Sequence, residues 1–436
     1  MKQLRVMDAR AAFVDVGSEH LHVSIAGGEP KVFGTMTKDL EQLRDWLLSA
    51  AVHSVAMEAT GVYWMPLYTV LEAAGLDVRM VSGREIRQVP GRKTDMADCQ
   101  WGATLHAYGL LRAGFVPTED IRRLQDYVRL RAEHISRAAD HVRHLHQALE
   151  RMNIKVHDVI SSLTGVSGLA MLRAILAGER DPEKLLALCD LRIRRDKGER
   201  IKESLRGTWR REHLFALRQA FSSWEHYQAQ IAECDREIAG LLPPPDDPAT
   251  RPPERRRSSP GVNAPAIEGL GESLRKLCGG TDLRELPGLT EYSILQLVAE
   301  VGTDLTSWPS AKHFSSWAGL APGSAQSGKR RRRVKSSRNR VGRLLCVLAR
   351  SLARSTKIAL GGFYRRLAAR RGGLVANKAL ARKLAELFWK MMVKGLDFVE
   401  QGLATYEAQQ RQAKQRVLRR LAAECGATIV LEGQPA

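Results

Sequence analysis

Between residues 11 and 98 the chain switches hydrophobic period in a fixed order, and that order restricts the fold more than any other feature. Residues 11–17, 20–26 and 31–37 are short β-branched or alternating runs separated by Gly, Ser and Pro, which predicts three consecutive antiparallel strands. Residues 38–50 then carry Leu40, Leu43, Trp46 and Leu47 on one helical face. A strand over 53–59, a helix over 63–74, a strand over 77–82 and a further helix follow. Three strands, then helix, strand, helix, strand, helix, is the order of an α/β RNase H-like sheet with helices packed on it.

Acidic residues interrupt this pattern where a core has no use for them. Asp15 falls within the first strand, in Phe-Val-Asp-Val-Gly, and a buried carboxylate without a partner is costly. Glu58 closes the fourth strand, in Met-Glu-Ala-Thr-Gly-Val-Tyr. Asp95 and Asp98 stand three residues apart in Lys-Thr-Asp-Met-Ala-Asp at a helix start, so they share a face. Taken singly, such acids are ordinarily caps or salt-bridge partners, and a first-turn acid offsets the helix dipole. In an RNase H-like sheet the first and fourth strands are neighbours, so all four converge. Four carboxylates together describe a two-magnesium (Mg2+) site, whose metals activate the attacking oxygen of a phosphodiester reaction and stabilise the leaving one.

Charge supplies the partner class. The 436 residues carry a formal net charge of +20, which favours nucleic acid. No apolar run is long enough to span a bilayer and the N-terminus lacks a signal-peptide core, so a cytoplasmic protein is expected. The six cysteines are scattered with no CxxC pair, arguing against a disulfide framework or zinc knuckle and for small apolar roles.

From residue 116 a three-four seam runs through Ile121, Leu124, Val128, Ile135, Ala138, Val142, Leu145, Leu149 and Met152, broken at Arg131. A second runs through Leu214, Leu217, Phe221, Trp224, Ile231, Ile238 and Leu242, with Gln228 and Asp235 as polar exceptions. Two such helices predict a coiled-coil hairpin or an oligomerisation surface. His134, His141, His144 and His146 mostly leave the seam and have no cysteine nearby, so they are assigned to a solvated, phosphate-compatible surface and not to metal. The expected divisions are 1–115, 116–242 with a helical insert, a Pro-rich linker over 243–280, a mainly α domain over 281–400, and a tail over 401–436 that begins as a solvated helix.

In the fourth part, residues 283–301 suit a helix-hairpin-helix element or, equally, a plain helix-turn-helix corner. A turn-rich loop from Phe314 then leads through Ser327 into Lys329, Arg330, Arg331, Arg332, Arg333, Lys335, Arg338 and Arg340. These cations, with Lys93, are the candidate nucleic-acid contacts. A hydroxyl beside Gly among arginines has the exposure and charge stabilisation a nucleophile needs, although residue types alone do not separate Ser315, Ser316, Ser324 and Ser327.

The three acidic blocks resemble those of the DEDD-type transposases of bacterial insertion sequences, the family numbered one-ten, whose N-terminal domain is similar to RuvC-like junction resolvases. Ala318-Gly-Leu-Ala-Pro followed by Ser327-Gly resembles that family's serine block, and the segments around 163–182 and 207–220 resemble its helical insert. The resemblance implies a DNA recombinase in which Asp15, Glu58, Asp95 and Asp98 bind magnesium and Ser327 attacks a DNA phosphate. It also implies dimers assembling into tetramers and a structured bridge RNA encoded by the element. The competing classes are a junction nuclease that hydrolyses DNA with the carboxylates alone and a non-catalytic DNA- or RNA-binding protein.

Overall fold

The computed structural model describes residues 5–58, 61–86, 94–246, 261, 263–322, 325–327, 330–332, 338–395 and 403–426. The chain divides into two compact units, residues 1–116 and 117–436.

The first unit is built on strands β1 (Ala11–Val16), β2 (Leu21–Ile25), β3 (Lys31–Phe33), β4 (Ser54–Glu58) and β5 (Asp77–Val81). Their order in the sheet is β3-β2-β1-β4-β5. β1 to β3 pair antiparallel, whereas β1 with β4 and β4 with β5 are parallel. A parallel pair needs a crossover, and helices α1 (Thr37–Ser49) and α2 (Trp64–Ala73) supply the two. The order of elements along the chain is the one expected from the hydrophobic period, and the sheet is mixed with β1 beside β4.

Alternation decides which side chains face which layer. Ala12, Val14 and Val16 of β1 join Leu40, Leu43 and Leu47 of α1 and Leu67 and Leu71 of α2 in one core. Phe13 and Ala56 point the other way, to a smaller cluster with Cys99 and Ala103 of α4 (Asp95–Ala107). A short helix α3 (Gly83–Ile86), absent from the sequence expectation, precedes α4.

The second unit begins with the long helix α5 (Glu119–Arg151), which packs along α10 (Arg211–Leu241). Contacts run from Arg131 with Asp235 to His141 with Tyr227, so the two helices are antiparallel. The residues that break the two seams are partners. Arg131 and Asp235 are 1% and 5% exposed, and the guanidinium Nε donates to Asp235 Oδ1 at 2.5 Å. Nη1 of Arg131 donates to the Asn263 carbonyl at 3.1 Å, the Ala266 N–H donates to Asp235 Oδ2 at 3.0 Å, and the guanidinium lies 4.7 Å from the Tyr292 ring centre. Gln228, the other exception, is simply exposed. Helices α6 (Val156–Val159), α7 (Val166–Ala177), α8 (Pro182–Ala187) and α9 (Leu191–Ser204) cap the far end of the pair. They close a core of Leu145, Leu149, Leu172, Ile175, Leu185, Ile201, Leu217 and Phe221.

The 243–280 linker requires correction. Residues 247–260 and 262 lie outside the described residues, but Leu270–Leu277 forms a helix, α11, that buries Leu270 and Leu274 and packs on α12 (Glu291–Val301). The Pro and Gly residues flank this segment without entering its apolar turn, so composition hid it. α12 also packs against α5, where Gln125 Nε2 donates to the Ala299 carbonyl at 3.0 Å. Between α11 and α12 lie a 3-10 turn at Leu283–Glu285 and Gly288, at φ +87°. Thr290 caps α12 through the Ser293 N–H.

α13 (Ala311–Trp317), α14 (Arg340–Ala353), α15 (Ala359–Arg371) and α16 (Gly373–Lys394) complete the unit around Phe314, Leu345, Leu380, Leu384 and Phe388. A final helix, α17 (Leu403–Glu424), lies along α15. Among the described residues no helix is long and apolar enough to cross a membrane. Five cysteines are buried, as expected of small apolar side chains, whereas Cys425 is exposed.

Candidate functional site

Asp15 follows Phe13 by two residues and Glu58 follows Ala56 by two, so alternation places both carboxylates on the sheet face that α4 covers. They come directly after the parallel register pair Val14 and Met57, side by side near the C-terminal ends of β1 and β4. α4 is fitted tightly to this face. A Cβ on Gly102 would sit 2.7 Å from the Phe13 ring, and the Cys99 thiol donates to the His22 carbonyl at 3.0 Å. Burial pushes the Cys99 thiol up to about 12, so it serves packing and not chemistry. Asp95 and Asp98 occupy the first turn of α4, capped by Thr94, whose hydroxyl accepts the Ala97 N–H at 3.3 Å.

The other three acids act on Asp15. The Asp15 carboxyl is pushed up to about 6, first by burial and then by the negative charges of Glu58, Asp95 and Asp98. His22, its cross-strand neighbour in register, pulls the other way. An all-oxygen donor set held together against its own repulsion fits a hard divalent cation such as magnesium. The Glu58 carboxylate rests against Gly83, where a Cβ would lie 2.0 Å from Oε1, so Gly83 leaves room for it. Neither Gly83 nor His22 was found from sequence, because a close approach leaves no local pattern. Lys93 lies outside the described residues.

Three donor atoms mutually within 4.8 Å occur, among the described residues, at Glu150, His157 and Asp158 and not at the acidic cluster. Ligands on opposite sides of two metals are not required to be that close. At Glu150 the Lys155 ammonium already neutralises the carboxylate. Of the four histidines assigned to a solvated surface, His144 is exposed. His134 and His141 instead pack on Tyr227, at 5.8 and 5.6 Å between ring centres, and His146 stacks on His157 at 4.9 Å.

The serine segment differs from the expected loop. Phe314 to Trp317 belong to α13, and Ala325–Ser327 (β6) pairs antiparallel with Arg330–Arg332 (β7), Ser327 opposite Arg330. Only the backbone is described at Ser327, Arg330, Arg331 and Arg332, while Ser324, Lys329, Arg333 and Lys335 lie outside the described residues. Of the serines left open by sequence, Ser315 is fully buried and donates to the Lys312 carbonyl, which removes it as a nucleophile. Arg338 is exposed, with Nη1 3.3 Å from Cys346 Sγ. Arg340 opens α14.

The two helices flanking this hairpin are tied at its base. Asn339 caps α14 through the Gly342 N–H at 2.9 Å, and its Nδ2 donates to the Trp317 carbonyl at 3.2 Å. A Cβ on Gly342 would stand 2.0 Å from the Ala318 carbonyl oxygen, a backbone atom that has little room to yield. Gly342→Ala is therefore expected to cost about 1–3 kcal/mol, read as a lower melting temperature, and to loosen the base of the hairpin.

An acidic cluster on a mixed sheet, followed by a strongly basic helical unit, defines a class of proteins that work on nucleic acid. Residues 14–154 match the DEDD-type transposase profile, described as Transposase, and residues 280–365 match the profile described as Transposase IS116/IS110/IS902 family. The chain belongs to the IS110 family of transposases. No curated protein matches it.

Proposed function

We propose that this transposase recombines DNA through an RNase H-like carboxylate centre and a serine nucleophile. The observation that carries the reading is the convergence of charge on Asp15, whose carboxyl is raised to about 6 by burial together with Glu58, Asp95 and Asp98. The strand order, with acids near the ends of β1 and β4 and at the start of α4, supports an RNase H-like assignment.

Asp15, Glu58, Asp95 and Asp98 would hold magnesium, which when bound would sharpen the attacking oxygen and stabilise the leaving one. The Ser327 hydroxyl would give up its proton and form an O–P bond while a deoxyribose O–P bond breaks, the departing oxygen taking up a proton. One phosphodiester replaces another, so rejoining needs no added energy source. The arginines around Ser327 would offset charge on the phosphate oxygens. The α5–α10 pair is read as a coiled-coil assembly surface. Following the resemblance, dimers would form a tetramer in which one subunit's carboxylates work with another's serine, and a bridge RNA would direct the choice of DNA.

The test is a denaturing gel of labelled junction DNA incubated with the full-length protein, the element's flanking RNA and magnesium. A covalent protein–DNA adduct is expected, and it should vanish in both Ser327→Ala and Asp95→Ala. Cleaved DNA without an adduct, unchanged in Ser327→Ala, would instead indicate a hydrolytic nuclease.

A further inference from the structure

Glu300 stands one residue from the end of α12, where the helix dipole disfavours a carboxylate. Its side chain is only 16% exposed and is held by cations from two directions. From α5, Arg129 binds it with both arms, Nε to Oε1 at 2.9 Å and Nη2 to Oε2 at 2.7 Å, while Gln125 Nε2 lies 3.4 Å from Oε2. From the start of α14, Arg340 approaches Oε1 at 4.0 Å, with its own side chain 57% exposed. The two arginines are held unequally. Arg129 has the bidentate geometry that makes strong guanidinium–carboxylate pairs, whereas Arg340 is in loose ionic contact and faces water.

We propose that Glu300 is the counter-ion that parks Arg340 for DNA: clamped by Arg129, its carboxylate holds the Arg340 guanidinium until a backbone phosphate takes it. The inference rests on the reading of Arg340 as a DNA contact. When Arg340 leaves, Arg129 still neutralises Glu300, so the exchange strands no buried charge. The arrangement keeps a cation that follows the serine hairpin in the chain from binding any polyanion at full strength. It makes Glu300 and Arg129 positioning residues, acting on DNA through Arg340.

The experiment measures binding of a random-sequence DNA duplex to the full-length protein across a salt series. Arg340→Gln should weaken binding and reduce the slope of log K against log salt by about 0.9, the share of one phosphate contact. Glu300→Gln should tighten binding about two- to fivefold, the range of an exposed ion pair released from competition. Arg129→Gln should weaken it, because Glu300 then draws Arg340 fully. The distinguishing result is the double variant Arg129→Gln/Glu300→Gln, which should recover wild-type affinity or better. Arg129→Lys, which keeps the charge but loses the two-armed clamp, should fall between wild type and Arg129→Gln, and thermal melting of each variant reports whether it is folded.

If the double variant binds no better than folded Arg129→Gln, Glu300 is not a competitor for Arg340 and the proposal fails. An unchanged salt slope in Arg340→Gln would overturn the underlying reading of Arg340 as a DNA contact, whatever Glu300 does. If the series changes binding of a single-stranded RNA but not of the duplex, the parked arginine serves RNA and the proposal as made for DNA is overturned.

Discussion

Methionine in place of Arg131 should destabilise the helical unit by about 3–5 kcal/mol, the usual consequence of stranding one member of a buried ion pair. The change leaves the Asp235 carboxylate, 5% exposed, with the Ala266 N–H but without its cation. It also removes the bond to the Asn263 carbonyl and the contact with the Tyr292 ring. Guanidinium unfolding followed by far-ultraviolet circular dichroism would show a lowered midpoint. The double variant Arg131→Met/Asp235→Leu should regain most of the loss, because two apolar side chains then meet in the seam with no charge to solvate. A double variant as unstable as the single would mean that the hydrogen bonds to 263 and 266, and not the unpaired charge, dominate the site.

The second large effect has the opposite sign. Asp15→Asn should raise the stability of the metal-free protein at neutral pH while abolishing its response to magnesium. Burial and the neighbouring acids push the carboxyl up to about 6 in the fold from an ordinary 3.8, so the native state holds the extra proton between those values. By linkage, metal-free stability therefore falls as pH rises from about 4 to about 6, and the full cost is present above that window. The shift alone corresponds to about 3 kcal/mol, and solvent screening at this half-buried site reduces it to about 1 kcal/mol. That amounts to about 4 °C in the melting temperature of a unit this size.

The amide should thus melt higher than wild type at pH 7.5 without metal, and close to it at pH 4. Magnesium should stabilise wild type by about 2.7 kcal/mol at a hundredfold excess over its dissociation constant, and the variant hardly at all. A variant that melts lower at pH 7.5, or responds equally to magnesium, would remove Asp15 from the proposed metal site.

The hydrophobic period decided the first unit because a strand with one face in each of two cores cannot slip by a residue without reversing every side chain. The same alternation put Asp15 and Glu58 on the face of Phe13 and Ala56, so the acidic positions were legible one by one and their shared face nearly so. In the second unit the two seams also announced themselves, including the residues that break them.

What those exceptions do was decided only in three dimensions. Arg131 and Asp235 lie 104 residues apart in the chain, and no local pattern tells a seam-breaking charge that its partner breaks the other seam. α11 escaped notice because its short apolar turn sits between Pro- and Gly-rich stretches. The β6–β7 hairpin escaped because a run of arginines has no alternation to read. Ser315 looks like the other serines of its segment as a residue, and only tertiary packing shows that it is buried. Periodicity registers how often a chain must turn an apolar side inward, a local property written along the sequence. Pairing of charges, close approach at Gly83, Gly102 and Gly342, and the parking of Arg340 against Glu300 depend on which distant segments meet, and that is settled by the packing of the whole fold.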